Sequence, residues 1–261
     1  MKEFGMYAFY NSATTEPEEG WTEFKMTIPD SVETLPQYFF GGCVINDVTL
    51  PKNLKTIKAF AFRYCTSETE LVIPKTLEAL YGYSFFYGSY SHITFEEGIE
   101  SIVISPFVAR PFPMPIIYSN PFQQTVIGEM TLPSTLKSIG HRFLYSAKGP
   151  AKLVLPEGLK TIGTYAFYNN KAIYELYLSS TVEFVGDAYA FYGWTEEQTI
   201  YSPLDRTATM AVWGGSLTHT SFKGNVVYNY VPTPEQTEGS TGTSGEIAIE
   251  GEVAFVDNKQ N

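Results

Sequence analysis

Short runs of alternating apolar and polar residues recur along the chain, and most of them end in a proline. Examples are "VTLP" at 48–51, "LVIP" at 71–74 and "LVLP" at 153–156. An alternation of period two predicts a strand that points one row of side chains into a core and the other outward. Proline suits the end of such a strand, where no ladder N–H is required. The pattern predicts eight strands, near residues 26, 48, 71, 93, 130, 153, 176 and 200.

Each run opens a longer unit with a fixed order of apolar positions. Aliphatic residues follow three and six positions after the proline, and an aromatic residue in an "AF" element comes next, as in Phe62 and Phe167. Most units are 22 to 24 residues long, and the unit between Glu96 and Pro133 spans 37. One unit cannot bury its own apolar face, so the units are expected to stack around a shared core.

The repeated pattern resembles the BspA-type leucine-rich repeat family over residues 4 to 203. The matching positions in one unit are Leu155, Pro156, Leu159, Ile162, Gly163, Ala166 and Phe167. The resemblance implies an α+β repeat solenoid, with parallel strands on a concave face and short helices or turns on a convex face. A parallel β-helix is the alternative at this period. The "I-G-x-x-A-F" element reads better as a turn into a short helix than as a second strand, which favours the leucine-rich repeat.

The chain divides into four predicted parts. Residues 1–203 form the solenoid, which begins in mid-repeat because "FGMYAFYNSA" matches "IGTYAFYNNK" further on. Residues 204–231 form a cap region with a closing helix that turns Trp213 inward and a strand at "NVVYNYV". Residues 232–245 have the composition of a flexible linker, and 246–261 form a short strand-like or disordered tail. We expect the chain to be part of a longer protein.

Two insertions interrupt the repeats, one in the first unit and one at 103–120. The second adds about 15 residues and is rich in proline and apolar side chains. Insertions in a repeat protein lie as loops on one face, which is often the binding face. The ligand-binding candidates in this loop are Phe107, Arg110, Phe112, Met114 and Tyr118. The alternative is a loop that folds onto the convex side and buries its own side chains.

Charge and hydropathy exclude two classes of partner. The net charge is −11, and the 17 lysines and arginines are scattered rather than clustered, which argues against nucleic acid. No apolar run reaches the length of about 18 residues that a membrane span needs. The N-terminus lacks the apolar segment and cleavage site of a signal peptide, so this chain carries no recognisable export signal.

The sequence contains no recognisable catalytic, cofactor or metal motif. The three histidines fall in different units, and no cluster has metal-ligand spacing. Cys43 and Cys65 occupy one repeat position in successive units, where a disulfide is geometrically conceivable. Small residues of several kinds occupy this position elsewhere, which favours buried filler thiols. We expect no catalytic residue, no cofactor and no metal.

Outward-pointing strand residues should line the concave face. One row is mostly charged or polar and includes Asp47, Glu129 and Glu175, and the other ends in Tyr177 and Tyr201. Tyrosine is a common anchor at interfaces, so these five residues are candidates for ligand binding. Stacking between neighbouring strands is the alternative reading of the two tyrosines.

The resemblance implies surface or secreted proteins that act in adhesion. The sequence therefore predicts a non-catalytic module, monomeric and extracellular, that binds a protein or glycan through its concave face and the 103–120 loop. One alternative is a structural spacer that displays another domain. The other is a glycan-active enzyme using Glu129, Glu175 or Asp47.

Overall fold

The structure, a computed structural model, describes residues 4–10, 26–109, 116–118, 120–231 and 253–254. These residues form a parallel-strand solenoid of about eight turns with little helix, which confirms the predicted fold class. In chain order the strands are β1 (Met26–Thr27), β2 (Thr34–Leu35), β3 (Val48–Thr49), β4 (Thr56–Ile57), β5 (Thr66–Ile73), β6 (Ala79–Tyr81), β7 (Ser89–Phe95), β8 (Ser101–Ile102), β9 (Ile104–Ser105), β10 (Phe107–Ala109), β11 (Ile116–Tyr118), β12 (Val126–Thr131), β13 (Ser138–Ile139), β14 (Lys152–Val154), β15 (Thr161–Ile162), β16 (Glu175–Tyr177), β17 (Phe184–Val185), β18 (Thr199–Tyr201), β19 (Asn225–Val227) and β20 (Val253–Ala254). Helix α1 (Arg206–Leu217) lies between β18 and β19.

The predicted strands pair in parallel with the strand of the next turn. They form the sheets β1-β3, β5-β7-β12 and β14-β16-β18, and β19 adds one more turn to the last of these. The register places Leu153 beside Leu176, and Leu176 beside Ile200, all three of which are buried. The apolar residue in the middle of each triplet therefore faces the core, as the alternation predicts.

A second short strand follows in every turn before β18, whereas the sequence analysis favoured a turn into a short helix over a second strand. These strands pair in parallel as β2-β4-β6-β9 and as β8-β13-β15-β17. The break falls at the 103–120 insertion, where Ile104 pairs back to Leu80 and Ser101 pairs forward to Ser138. We call these two rows of short strands together the side sheet.

The "AF" element is a turn rather than a helix. In most turns, the residues two positions before and after the core ring adopt left-handed backbone angles, as Phe60 (φ 61°) and Tyr64 (φ 57°) do around Phe62. A right-handed helix cannot run through such residues. The backbone N–H of Phe62 instead donates to the carbonyl of Ser84 in the next turn, at 2.7 Å.

Stacked aromatic rings fill the centre of the solenoid. Phe62 and Phe85 lie 4.9 Å apart with ring planes 6° from parallel, and Phe85 and Phe122 lie 4.8 Å apart. The stack breaks in the turn where Leu144 replaces the ring, and there Phe143 meets Phe122 edge-on.

The C-terminal region closes the core as predicted from Trp213. The Asp205 side chain caps α1 by accepting a hydrogen bond from the N–H of Ala208. Trp213 is buried against Phe191, the last core ring, at a ring distance of 5.4 Å. Strand β20 pairs antiparallel with β19, which supplies a partner for the alternating segment near the C-terminus. Residues 232–245 lie outside the described residues, and the boundaries of the four parts stay predictions.

Across the described ranges, the structure contains no helix that is long and apolar enough to cross a membrane.

Candidate functional site

Two carboxylates flank a histidine on the sheet β5-β7-β12, which we call the first sheet. The strand register aligns His92 of β7 with Glu70 of β5 on one side and with Glu129 of β12 on the other. Nδ1 of His92 lies 3.8 Å from Oε1 of Glu70 and 4.0 Å from Oε2 of Glu129. About half of each glutamate side chain is exposed (48% and 50%), so both carboxylates can meet a ligand.

Threonine hydroxyls fix the ring of this histidine. Nε2 of His92 lies 2.8 Å from Oγ1 of Thr131 and 3.1 Å from Oγ1 of Thr94, and the Thr94 hydroxyl also donates to Glu70. These contacts hold the polar side chains in one orientation on a hydrogen-bonded sheet. We call Glu70, His92 and Glu129 the acidic row.

Asp47 lies outside the strand of its turn. Its backbone is left-handed (φ 54°), and its N–H donates to Oγ1 of Thr69 at 2.9 Å. Of the three acidic candidates Asp47, Glu129 and Glu175, the register brings only Glu129 beside His92. Glu175 belongs to a separate sheet.

Tyr177 and Tyr201 stack on each other and are largely buried. Their ring centres are 4.6 Å apart with planes 9° from parallel. Tyr177 is only 4% exposed and Tyr201 only 9%. Tyr230 lies 5.2 Å from both rings and covers them. The stacking reading of the pair fits this geometry, and a ligand could reach the two ring faces only by displacing Tyr230.

Glu175 and Lys152 complete the tyrosine cluster. The Tyr177 hydroxyl donates to Oε2 of Glu175 at 3.0 Å, and Nζ of Lys152 lies 5.1 Å from the ring centre. Burial and the neighbouring Glu175 carboxylate raise the pKa of Tyr177 well above its ordinary value. The sequence analysis missed Tyr230 because the left-handed turn at Asn229 (φ 55°) changes the alternation just before it.

The insertion forms an antiparallel hairpin of β10 and β11. Phe107 pairs with Tyr118 in its register, so these two candidates are brought together along the backbone. The hairpin follows β9, a strand of the side sheet, rather than a strand of the first sheet. The candidates Arg110, Phe112 and Met114 lie outside the described residues.

Cys43 and Cys65 are both buried, and no disulfide joins them. The Cys43 thiol donates to the carbonyl of Phe9 at 2.7 Å, and the Cys65 thiol donates to the carbonyl of Phe40 at 2.9 Å. Burial raises the pKa of Cys65 to about 12. These contacts fit structural thiols.

Within the part of the chain that the structure describes, no group of three or more His, Cys, Asp or Glu side chains could hold a metal ion.

A family model described as "BspA type Leucine rich repeat region" matches residues 2–110 and 115–227, in six copies. The match covers most of the chain and extends into the predicted cap region at 204–231. No curated protein matches the chain.

Two solved bacterial structures are similar to the chain. A leucine-rich repeat protein from Bacteroides ovatus is 17% identical, with a TM-score of 0.36, over 77% of this chain and 60% of that one. A leucine-rich repeat protein from Eubacterium ventriosum is 15% identical, with a TM-score of 0.29, over 85% of this chain and 78% of that one. The match thus spans less than two thirds of the Bacteroides protein.

Proposed function

The chain belongs to the BspA-type leucine-rich repeat family, and we propose that it is a non-catalytic module that binds a basic segment of another protein through its acidic row. The observation that carries this proposal is the pair of half-exposed carboxylates, Glu70 and Glu129, held in register on either side of His92. We further propose an extracellular setting and a role in adhesion, which the family resemblance implies.

The surroundings of the acidic row suit a protein ligand. Val72 is 41% exposed on the strand beside Thr94, so an apolar contact is available next to the carboxylates. The net charge of −11 attracts a positively charged partner and speeds its encounter. A fixed row on a sheet loses little conformational entropy when it binds.

The other candidate ligand-binding residues would add to the binding by the acidic row. The candidates of the 103–120 loop, Phe107, Arg110, Phe112, Met114 and Tyr118, would add contacts to the same ligand. Tyr177 and Tyr201 would contribute only after Tyr230 moves, because Tyr230 covers both rings.

The test is a binding array of immobilised matrix proteins and glycans. It is probed with the chain, with the double variant E70Q/E129Q, and with the control E78Q/E100Q. The control makes the same change in net charge at exposed glutamates outside the first-sheet strands. We expect binding to a basic protein that weakens about tenfold or more in E70Q/E129Q and weakens with salt.

Three results would count against the proposal. Equal losses in both double variants would mean that net charge alone drives binding. A ligand that survives E70Q/E129Q but is lost when residues 104–118 are deleted would move the site to the hairpin. An empty array with folded protein would favour a structural spacer.

A further inference from the structure

A second polar cluster lies on the convex side, among the turns that carry the core rings. Its centre is Arg63, whose guanidinium carbon is 4.5 Å from the ring centre of Tyr64, 5.6 Å from that of Phe60 and 6.0 Å from that of Phe86. Nη2 of Arg63 donates to the hydroxyl of Tyr64 at 3.3 Å. Nε of the same group is buried and makes no hydrogen bond.

Two further tyrosines lie near this guanidinium. Tyr38 and Tyr10 are both close enough to interact with Arg63 electrostatically. Tyr10 is 41% exposed and Tyr64 is 49% exposed, so the cluster is open to solvent. We call Tyr10, Tyr38, Phe60, Arg63, Tyr64 and Phe86 the Arg63 cluster.

The cluster lacks a carboxylate of its own. The convex segments 4–10, 36–42, 58–64 and 81–88 contain no Asp or Glu. Among the described residues, the ion pairs involve Lys55, His92 and Lys160 but not Arg63. The described face around Arg63 is therefore cationic and aromatic, while the acidic row on the first sheet is anionic.

We propose that the Arg63 cluster binds a carboxylate-bearing sugar, such as a uronic acid unit of an acidic glycan. A guanidinium presents its N–H groups in a planar fork that matches the two oxygens of a carboxylate. The phenol hydroxyls can donate to and accept from sugar hydroxyls, and the exposed ring surfaces can cover the C–H face of a sugar.

The numbers of groups favour a sugar over an acidic peptide. The cluster holds one guanidinium and three phenol hydroxyls, which fits one carboxylate among several hydroxyls. An acidic peptide carries several carboxylates and few hydroxyls. The next cation on this face, Lys58, donates to the hydroxyl of Tyr81 at 3.1 Å.

Arg142 provides the matched control. Its guanidinium carbon lies 5.6 Å from the ring centre of Tyr145 and 5.5 Å from that of Tyr165, so it also packs between aromatic rings. If Arg63 served only to pack against rings, R63M and R142M would behave alike toward every ligand.

The experiment is a titration of the chain with a short oligogalacturonate, followed by calorimetry. The same titration uses its methyl ester and a glutamate-rich peptide. We expect saturable binding of the oligogalacturonate, weaker by about tenfold or more in R63M and unchanged in R142M. The methyl ester should not bind, since it lacks the charge that the guanidinium recognises.

The Y64F variant removes one hydroxyl and keeps the ring, so it tests the site if R63M unfolds. Y64F should weaken binding a few-fold. The E70Q/E129Q variant should bind the oligogalacturonate normally, which separates this site from the acidic row. The proposal is overturned if the folded chain fails to bind, if neither R63M nor Y64F weakens binding, or if the methyl ester binds as well. Equal Arg63-dependent binding of the peptide would overturn the assignment to a sugar.

Discussion

Cys65 donates its thiol hydrogen bond to the backbone carbonyl of Phe40, one turn earlier, with sulfur and oxygen 2.9 Å apart. The same position in later turns carries Thr125, Asn170 and Trp194, which donate to the carbonyls of Phe85, Leu144 and Phe167. These side chains differ in size but share a hydrogen-bond donor. Gly88 and Ala147 supply no side-chain donor at this position. Where a donor is present, it reaches the carbonyl at the core-ring position of the preceding turn, so the Cys65 thiol does more than fill space.

Replacing Cys65 should reveal this donor. Cys65→Ala removes the hydrogen bond and leaves a small cavity, so we expect a loss of about 1–2 kcal/mol in the free energy of unfolding. Cys65→Ser keeps a donor of similar size and should lose less. Denaturant unfolding of the two variants measures the difference. Equal losses would show that only volume matters at this position.

The Cys65 thiol should be inert in the folded protein. Burial raises its pKa to about 12 from an ordinary value of 9.0, so the reactive thiolate is about a thousandfold rarer than in the unfolded chain. In a Cys43→Ser background, iodoacetamide at pH 8 should label Cys65 in urea but hardly at all in buffer. Mass spectrometry gives both rates. Fast labelling of the native protein would contradict the buried thiol.

Two glycines should respond in opposite directions to alanine. A Cβ at Gly163 would lie 2.3 Å from the backbone nitrogen of His141, so Gly163→Ala must push two turns apart. We expect a loss of at least about 2 kcal/mol in the free energy of unfolding. A Cβ at Gly214, in α1, meets nothing closer than 3.6 Å, and Gly214→Ala should stabilise by about 1 kcal/mol.

Thermal unfolding of both glycine variants, beside the unaltered chain, checks the pair. A Gly163→Ala protein as stable as the original would show that the turns can separate without cost. A destabilised Gly214→Ala protein would show that the helix needs glycine there for another reason.

The sequence predicted the strands that face the core because burial demands apolar residues at every second position. Leu153 and Leu176 are therefore visible in the pattern, and so is Trp213 as a closing ring. The second row of strands was missed because two-residue strands such as Thr161–Ile162 are too short to show an alternation.

Side-chain partners from distant turns were the least predictable part of the candidate sites. The repeat alignment places His92 and Glu129 in successive strands of one outward row, across the insertion, but it does not give the distance between their side chains or the threonine hydrogen bonds that hold them. Tyr230 covers Tyr177 only because a left-handed Asn229 redirects the chain. The Arg63 cluster also joins separate turns, and outward rings look like core rings in the sequence.

Alkaline pH should destabilise the protein, in part through Tyr177. Burial, followed by the Glu175 carboxylate, raises the pKa of this phenol above its ordinary value of 10.0. Below pH 10 both the folded and the unfolded chain keep the proton. Above pH 10 the unfolded chain loses it first, so the folded state becomes less stable as pH rises toward the folded pKa.

The Tyr177 phenol should lower the free energy of unfolding by about 1 kcal/mol between pH 10 and pH 11. Tyr177→Phe loses the hydrogen bond to Glu175, so it should be less stable than the original at pH 8. Because phenylalanine has no proton to lose, the stability of the variant should fall less steeply above pH 10. Denaturant midpoints at pH 8, 10 and 11 measure the slopes of the original chain and of the variant. If Tyr177→Phe falls as steeply as the original, the phenol ionises as easily in the folded chain as in the unfolded one, and Tyr230 does not exclude water from the stack.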